Sequence, residues 1–266
     1  MKRFRQRFCR KSIVATALGS AALLIGGPAL ADHAWNTYHW SRTSAQIAPP
    51  IGDNVSSQWD SYLRTAVADW NRSIYIESPL VTGQSNPRNC RPNAGRIEVC
   101  NHTYGNNGWL GIAQIWLSGG HITQGITKLN DTYFNTATYN TPAWRAAVTC
   151  QEIGHDYGLG HQDEDFSTDA TTSCMEYTSV PAGNEHPDSH DYQQLEQIYS
   201  HAHSTSSTAA TSQVGAGNSP ADWGRPVAFT RDGRPHIYVR EIAPGQRVIT
   251  HVLWAIGEGP QGFHHH

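Results

Sequence analysis

Apolar residues recur at the spacing of an α-helix in three parts of the chain. The first part, residues 53–72, carries an apolar stripe formed by Trp59, Leu63, Ala66 and Trp70. The second begins at Thr141 and Pro142, because a threonine hydroxyl caps a helix and a proline fits its first turn. It is predicted to run to about Tyr157, and a third helix is predicted over residues 188–199.

Short runs rich in β-branched and aromatic residues lie between the first two predicted helices. These runs span residues 74–77, 96–101 and 111–117, and each is bounded by Gly, Asn or Pro, which predicts strands. We therefore expect a mixed α/β (α+β) fold in which helices pack on a twisted, mostly parallel sheet.

The composition changes after the third predicted helix. Residues 204–221 are dominated by Ser, Thr, Ala and Gly, which bury too little apolar surface to order themselves, so we predict a linker. Beyond it, alternating apolar residues on both sides of an Asp-Gly pair predict a β-hairpin. A third strand is predicted over residues 248–254. We expect a main domain over residues 32–203 and a separate, small C-terminal β unit over residues 222–266.

The N-terminus has the pattern of a secretory signal peptide. Residues 1–11 contain six basic and no acidic side chains, and an apolar run follows to about Leu30. Small residues at the end of this run predict cleavage after Ala31, so residues 1–31 would be removed. A membrane anchor is the alternative, but Gly-Gly-Pro interrupts a run that is already short for a bilayer span.

Charge and composition narrow the possible partners. The chain has 266 residues with 38% hydrophobic side chains, which indicates a globular protein. Loss of the six basic residues of the signal peptide changes the formal net charge from −3 to −9. An acidic chain is a poor partner for nucleic acid. We expect a secreted, monomeric protein with no membrane segment after cleavage.

Four cysteines remain in the mature chain, since Cys9 leaves with the signal peptide. They are Cys90, Cys100, Cys150 and Cys174. An even number in an oxidising compartment predicts two disulfides, for which sequence permits three connectivities. Pairing of nearest neighbours closes the shortest loops and is favoured.

The end of the second predicted helix reads CQEIGHDYGLGH. Gln151 and His155 are four residues apart, so they share a helix face, and Glu152 lies one step around. Gly158 can adopt positive φ and end the helix abruptly, which would bring His161 back towards that face. Three donors would then converge.

This stretch resembles the metzincin zinc-endopeptidase motif, HExxHxxGxxH followed by a methionine turn, with Gln151 in place of the first histidine. The resemblance covers about residues 32–201 and implies a zinc cofactor and a protein or peptide substrate. The roles that it implies are zinc ligation by His155 and His161, general base for Glu152, a floor beneath the metal for Met175, and a possible approach to zinc for Tyr177.

Gln151 is interpreted as the third zinc ligand. Its amide oxygen lies as many bonds from Cα as the histidine Nε2, although a neutral carbonyl oxygen is a weaker zinc donor. The favoured function is a secreted zinc endopeptidase that binds its substrate as an added strand near residues 111–117. The alternatives are a secreted binding protein that has lost the metal, and a metal-dependent hydrolase that acts on another substrate.

The remaining polar residues are interpreted without a catalytic role. Residues 163–165 are read as a solvated acidic loop, with calcium binding or a fourth zinc oxygen as alternatives. Cys150 as a thiolate ligand is the alternative to its disulfide. No role is assigned to the isolated histidines His102, His121, His186 and His190.

Overall fold

The computed structural model describes residues 33–34, 38–165, 171–204 and 217–260. The predicted signal peptide and most of the predicted linker lie outside these ranges. The strands in them are β1 (His39–Trp40), β2 (Ile51–Asn54), β3 (Leu80–Thr82), β4 (Ile97–His102), β5 (Trp109–Ser118), β6 (His121–Asn130), β7 (Arg225–Phe229), β8 (Pro235–Ala243) and β9 (Gln246–Trp254). The helices are α1 (Asp60–Trp70), α2 (Asp131–Phe134), α3 (Pro142–Asp156), α4 (Ser189–Tyr199) and α5 (Pro220–Trp223). None of these helices is both long enough and apolar enough to cross a bilayer.

The strands form one mixed sheet in the order β3-β2-β4-β6-β5-β9-β8-β7, with β1 beside β6. The fold is mixed α/β as expected, but the expectation of a mostly parallel sheet is wrong. Pairings among β1, β2, β3, β4 and β6 are parallel, whereas β5, β7, β8 and β9 pair antiparallel. The pairing changes from parallel to antiparallel between β6 and β5. These two strands form a hairpin through a tight turn at Gly119 and Gly120, both of which have positive φ angles.

Helices α3 and α4 form where the sequence predicted the second and third helices. The Thr141 side chain accepts a hydrogen bond from the Trp144 amide, and Pro142 occupies the first turn of α3. Asp188 caps α4 in a reciprocal capping box with Asp191. The apolar stripe of α1 is buried, and the Trp70 indole donates to the Cys150 carbonyl at 3.0 Å, which joins α1 to α3.

Two boundaries near the N-terminal half differ from the prediction. Helix α1 begins at Asp60 and not at residue 53, because residues 53 and 54 belong to β2, which pairs with β3 and β4, and a turn precedes the helix. Residues 74–77 form no strand, and Ile76 makes only an isolated bridge with Ile47.

The C-terminal strands extend the main sheet, so the prediction of a separate C-terminal unit is wrong. Strand β9 pairs with β5 from Trp109 opposite Trp254 to Ser118 opposite Gln246. Residues 248–254 are buried; Ile249 and Leu253 join the main core. Burial of these apolar side chains stabilises the pairing. Because β9 also covers the free side of β5, the predicted substrate-binding edge at residues 111–117 is not open.

Two disulfides join nearest neighbours, Cys90 with Cys100 and Cys150 with Cys174, as favoured from sequence. Both cysteines of the second pair are buried. This pair ties the end of α3 to residue 174, which immediately precedes Met175.

Replacing both Cys150 and Cys174 by serine is expected to lower the free energy of unfolding by about 3 kcal/mol, the range for loops of this size. The reason is that the cross-link, which spans 24 residues, restricts the unfolded chain. Urea unfolding of both forms under non-reducing conditions measures the change. The matched control is the Cys90→Ser, Cys100→Ser pair, whose loop spans 10 residues and is expected to contribute less. An unchanged midpoint for the first pair would contradict the prediction.

Candidate metal centre

The end of α3 turns the chain back on itself, as the sequence predicted. Gly158 has φ +92°, and a Cβ at this position would collide with the carbonyl oxygen of Tyr38. The His155 Nδ1 lies 2.7 Å from the carbonyl oxygen of Leu159, which fixes the ring against the returning chain. The turn places His155 Nε2 at 3.2 Å from His161 Nε2.

A third imidazole reaches this pair from β9. The His251 ring stacks on that of His155 with centroids 3.6 Å apart, and its centroid lies 4.5 Å from that of His161. One possible ligand atom from each of the three lies within 4.8 Å of the others. Their exposed fractions are 0% for His155, 8% for His161 and 0% for His251. The centre therefore combines helix, loop and C-terminal strand.

The chemistry of these donors fits zinc. His155 Nδ1 faces a carbonyl oxygen, which only accepts, so the proton sits on Nδ1 and Nε2 presents a lone pair to His161. A proton or a cation between the two Nε2 atoms is needed to hold them at 3.2 Å. Tetrahedral zinc, with Zn–N distances of about 2.0–2.1 Å, separates its nitrogen ligands by about 3.3 Å.

The protonation state of the three histidines also suits a metal. Burial lowers the pKa of His155, His161 and His251 well below the ordinary histidine value, and the neighbouring imidazoles lower it further. Neutral imidazole is the form that binds a metal, because the ligating nitrogen must be free of a proton.

Glu152 lies on α3 three residues before His155, which makes the two side chains neighbours on the helix surface. Its carboxylate is buried against β5, where Gly111 leaves the space that a Cβ would fill. Among the described residues, no side chain donates a hydrogen bond to either carboxylate oxygen. Burial raises the pKa of Glu152 well above its ordinary value, the charge of Asp156 adds to this, and the nearby Ala113 backbone offsets it in part.

Gln151 makes a different contact from the one predicted. Its amide nitrogen donates to the carbonyl oxygen of Glu176 at 3.1 Å, while its amide oxygen is buried with no hydrogen-bond partner in the part of the chain that the structure describes. The side chain also lines a small cleft beside Trp144 and Val148. The three imidazoles come together without it, and Gln151 as a ligand stays a prediction.

The turn that carries Met175 lies against α3. Met175 is fully buried, and its thioether fills the space where Gly154 lacks a side chain. The Gln162 amide donates to the Met175 carbonyl oxygen at 2.7 Å, and the Cys174 disulfide holds the turn from the other side. Met175 thus packs beneath the helix that carries Glu152 and His155.

Tyr177 follows this turn and is also buried. Its ring centroid lies 3.9 Å from that of His161, and its hydroxyl lies 2.9 Å from His236 Nδ1. Burial raises the pKa of Tyr177 well above the ordinary value, with a further contribution from Glu164, so the hydroxyl keeps its proton.

Sequence reasoning missed His236 and His251. Both lie in strands among apolar residues, and a buried histidine in such a strand is the signal that could have identified them. Glu164, from the predicted acidic loop, reaches the same region, with its Oε1 at 3.4 Å from His236 Nε2 and 3.9 Å from His161 Nδ1. By contrast, His186 pairs with Asp69, outside this group.

Comparison with known proteins assigns no family to the chain. No protein-family model and no curated protein sequence matches the chain. A solved structure to which the chain is similar is that of high choriolytic enzyme 1 (HCE-1), a hatching-enzyme zinc-protease from Oryzias latipes, the medaka fish. The two are 14% identical, with a TM-score of 0.34 over 61% of this chain and 94% of that chain.

Gly158→Ala is expected to destabilise the protein by more than about 2 kcal/mol, the order of one strained backbone residue, because a collision adds to the positive φ. Zinc binding should weaken as His161 moves away from His155. Urea unfolding and zinc titration measure the two effects. Gly95→Ala is the matched control, because Gly95 has φ +75° and open space around its Cα. Equal losses at both positions would contradict a role for the close approach to Tyr38.

Proposed function

We propose that the protein is a zinc-dependent endopeptidase whose metal is held by His155, His161 and His251. In this proposal His251 takes the ligand position that the sequence predicted for Gln151. The observation that carries the proposal is the convergence of three buried imidazoles beside a buried glutamate. Three protein ligands that leave a fourth position for water are the usual arrangement of catalytic zinc.

In this proposal Glu152 and Tyr177 take part in hydrolysis beside the metal. Zinc, when bound, supplies a Lewis acid that polarises the scissile carbonyl and acidifies water. Glu152 accepts the proton of the attacking water and delivers it to the leaving amine, and its raised pKa suits both transfers. Tyr177 stabilises the negative charge on the carbonyl oxygen. For this the Tyr177 hydroxyl must leave His236 Nδ1.

The same proposal places the protein outside the cell. A cleavable signal over residues 1–31 would direct export, and the two disulfides are compatible with an oxidising compartment. Its partner is a protein or peptide substrate. Nucleic acid is not proposed as a partner, because the mature chain is acidic, and the protein is proposed to act as a monomer.

A second candidate is a secreted binding protein in which the metal is structural. The burial of Glu152, His155 and His251 favours this function, because a peptide must reach the metal to be cleaved. Pairing of β9 along β5 favours it too, since β9 fills a sheet edge where a substrate strand could bind. A metal held by His251 would then fasten β9 to α3.

Zinc content and proteolysis of the purified mature chain distinguish the two functions. Zinc at this centre is defined as the amount lost in His155→Ala, measured by elemental analysis. Casein cleavage that is abolished by a chelator and restored by zinc supports the peptidase. Zinc at the centre without cleavage of casein or a peptide library supports the binding protein. An identical zinc content in the wild type and His155→Ala would contradict both. Cleavage of esters alone would indicate another hydrolase.

A further inference from the structure

A second group of histidines lies outside the candidate metal centre and shares no residue with it. The group comprises His39 in β1, His121 at the start of β6, and His201 and His203 after α4. His39 Nε2 lies 3.3 Å from His203 Nε2 and 3.2 Å from His201 Nε2. One possible ligand atom each from His39, His121 and His203 lies within 4.8 Å of the other two.

Backbone structure brings these rings together. Strand β1 pairs with β6 in parallel, with His39 directly opposite His121. The His203 amide donates to the Arg42 carbonyl oxygen at 2.7 Å, which fastens the segment after α4 beside β1. The Arg42 amide in turn lies 3.4 Å from His203 Nδ1, so the Nε2 of that ring is directed into the group. The geometry is therefore set by the fold and by specific contacts.

The contacts among the four rings suit a shared cation better than hydrogen bonds alone. His39 Nε2 faces two other Nε2 atoms, and it carries at most one proton to share between them. The separations of 3.2 and 3.3 Å match the spacing of about 3.3 Å between nitrogen ligands of a tetrahedral zinc ion. His39, His121 and His203 are half-buried and His201 is exposed, so a cation can enter from solvent.

The donor set indicates the class of metal. Imidazole nitrogen suits zinc, copper and nickel, whereas calcium and magnesium prefer oxygen. The positive charge of Arg42 acts on His203 and opposes a cation here. Affinity should therefore be lower than at the buried centre, where His155, His161 and His251 lie together.

We propose that His39, His121, His201 and His203 form a second metal site, which binds a divalent transition ion of the zinc or copper type. The ion would add bonds between β1, the start of β6 and the segment after α4 to the backbone contacts that already join them. Binding to the folded state alone would stabilise the protein by an amount that rises with the logarithm of the free metal concentration above the Kd. The site goes beyond the proposed hydrolysis and requires no catalysis.

Zinc titration of the full chain by calorimetry tests the site. The background carries His264→Ala, His265→Ala and His266→Ala, because the terminal histidines could bind zinc themselves. Two zinc equivalents are expected in this background. The further substitutions His201→Asn and His203→Asn should remove the weaker equivalent and the thermal stabilisation that accompanies it, while the tighter one remains.

Matched controls separate this site from adventitious binding and from the other centre. His102→Asn, a histidine outside the group, should leave both equivalents unchanged. His251→Ala should remove the tighter equivalent and leave the weaker one, so failure of the proposed function and failure of this site give different results. A variant with His201→Asn and His203→Asn that binds as many zinc equivalents as the background protein would overturn the proposal.

Chemical modification of unsubstituted protein gives a test that does not depend on how the variants fold. Diethylpyrocarbonate modifies accessible imidazoles, and mass spectrometry locates the modified residues. Zinc is expected to protect His201 and His203 at least about tenfold, since a metal-bound nitrogen cannot react, and to leave His102 unprotected. Equal modification of His201 and His203 with and without zinc would overturn the proposal.

Discussion

His251→Ala is expected to remove zinc from the candidate metal centre and to abolish peptide hydrolysis with it. The substitution leaves His155 and His161 as the two imidazoles of the group. Loss of an outer-sphere partner already weakens zinc binding about 10–100-fold, so loss of a ligand should weaken it by at least about 100-fold. Elemental analysis after dialysis and a casein assay on the same samples measure both effects.

Gln151→Ala is the control that decides between the two possible third ligands. If His251 is the ligand, Gln151→Ala should retain zinc, because it removes only the hydrogen bond to the Glu176 carbonyl oxygen. The reverse pattern, with zinc kept in His251→Ala and lost in Gln151→Ala, would restore the interpretation drawn from sequence. It would also contradict the metal centre proposed from the structure.

Glu152→Gln is expected to lower casein cleavage by about 10²–10⁴-fold while zinc content stays unchanged. Glutamine has nearly the same shape as glutamate, but it cannot accept the proton of the attacking water. Zinc content and cleavage rate, measured on the same preparation, separate loss of chemistry from loss of metal. Glu196→Gln, on the exposed side of α4, is the matched control and should cleave casein normally. Undiminished cleavage by Glu152→Gln would exclude Glu152 as the base.

The same variant has a pH-dependent effect on stability. The folded-state pKa of Glu152 is raised above its unfolded value, so the folded protein binds the extra proton. The wild type therefore loses stability as the pH rises from the unfolded pKa towards the folded one. Glutamine does not titrate, so the stability of Glu152→Gln relative to wild type should increase with pH over that window. Urea unfolding of the metal-free forms between pH 4 and 8 gives the slope.

Features with local causes could be predicted from the sequence. The start of α3 depends on Thr141 and Pro142, and the start of α4 on the capping residue Asp188, all of which act within one helical turn. The return of the chain at Gly158, which brings His155 to His161, is also local, because positive φ is a property of that residue. The location of Glu152 near His155 could be predicted because both residues lie on the same helix.

Features that depend on distant pairing could not be predicted in this way. The third imidazole, His251, joins the site because β9 pairs with β5, and no periodicity within β9 specifies that neighbour. The composition of residues 204–221 predicts a linker, which stays a prediction because most of the segment lies outside the described residues. The composition carries no information about where the segments on either side pack. Strand β6 was missed because it needed the Gly119 and Gly120 turn to be read as a hairpin.

The pairing of β9 with β5 also sets the order in which the site can be completed. His251 follows His155 and His161 in the sequence, so it is the last of the three imidazoles to be synthesised. A nascent polypeptide that has already folded α3 would hold two imidazoles and lack the third. In the proposed peptidase, hydrolysis would thus begin only after β9 had paired with β5 and carried His251 to the centre.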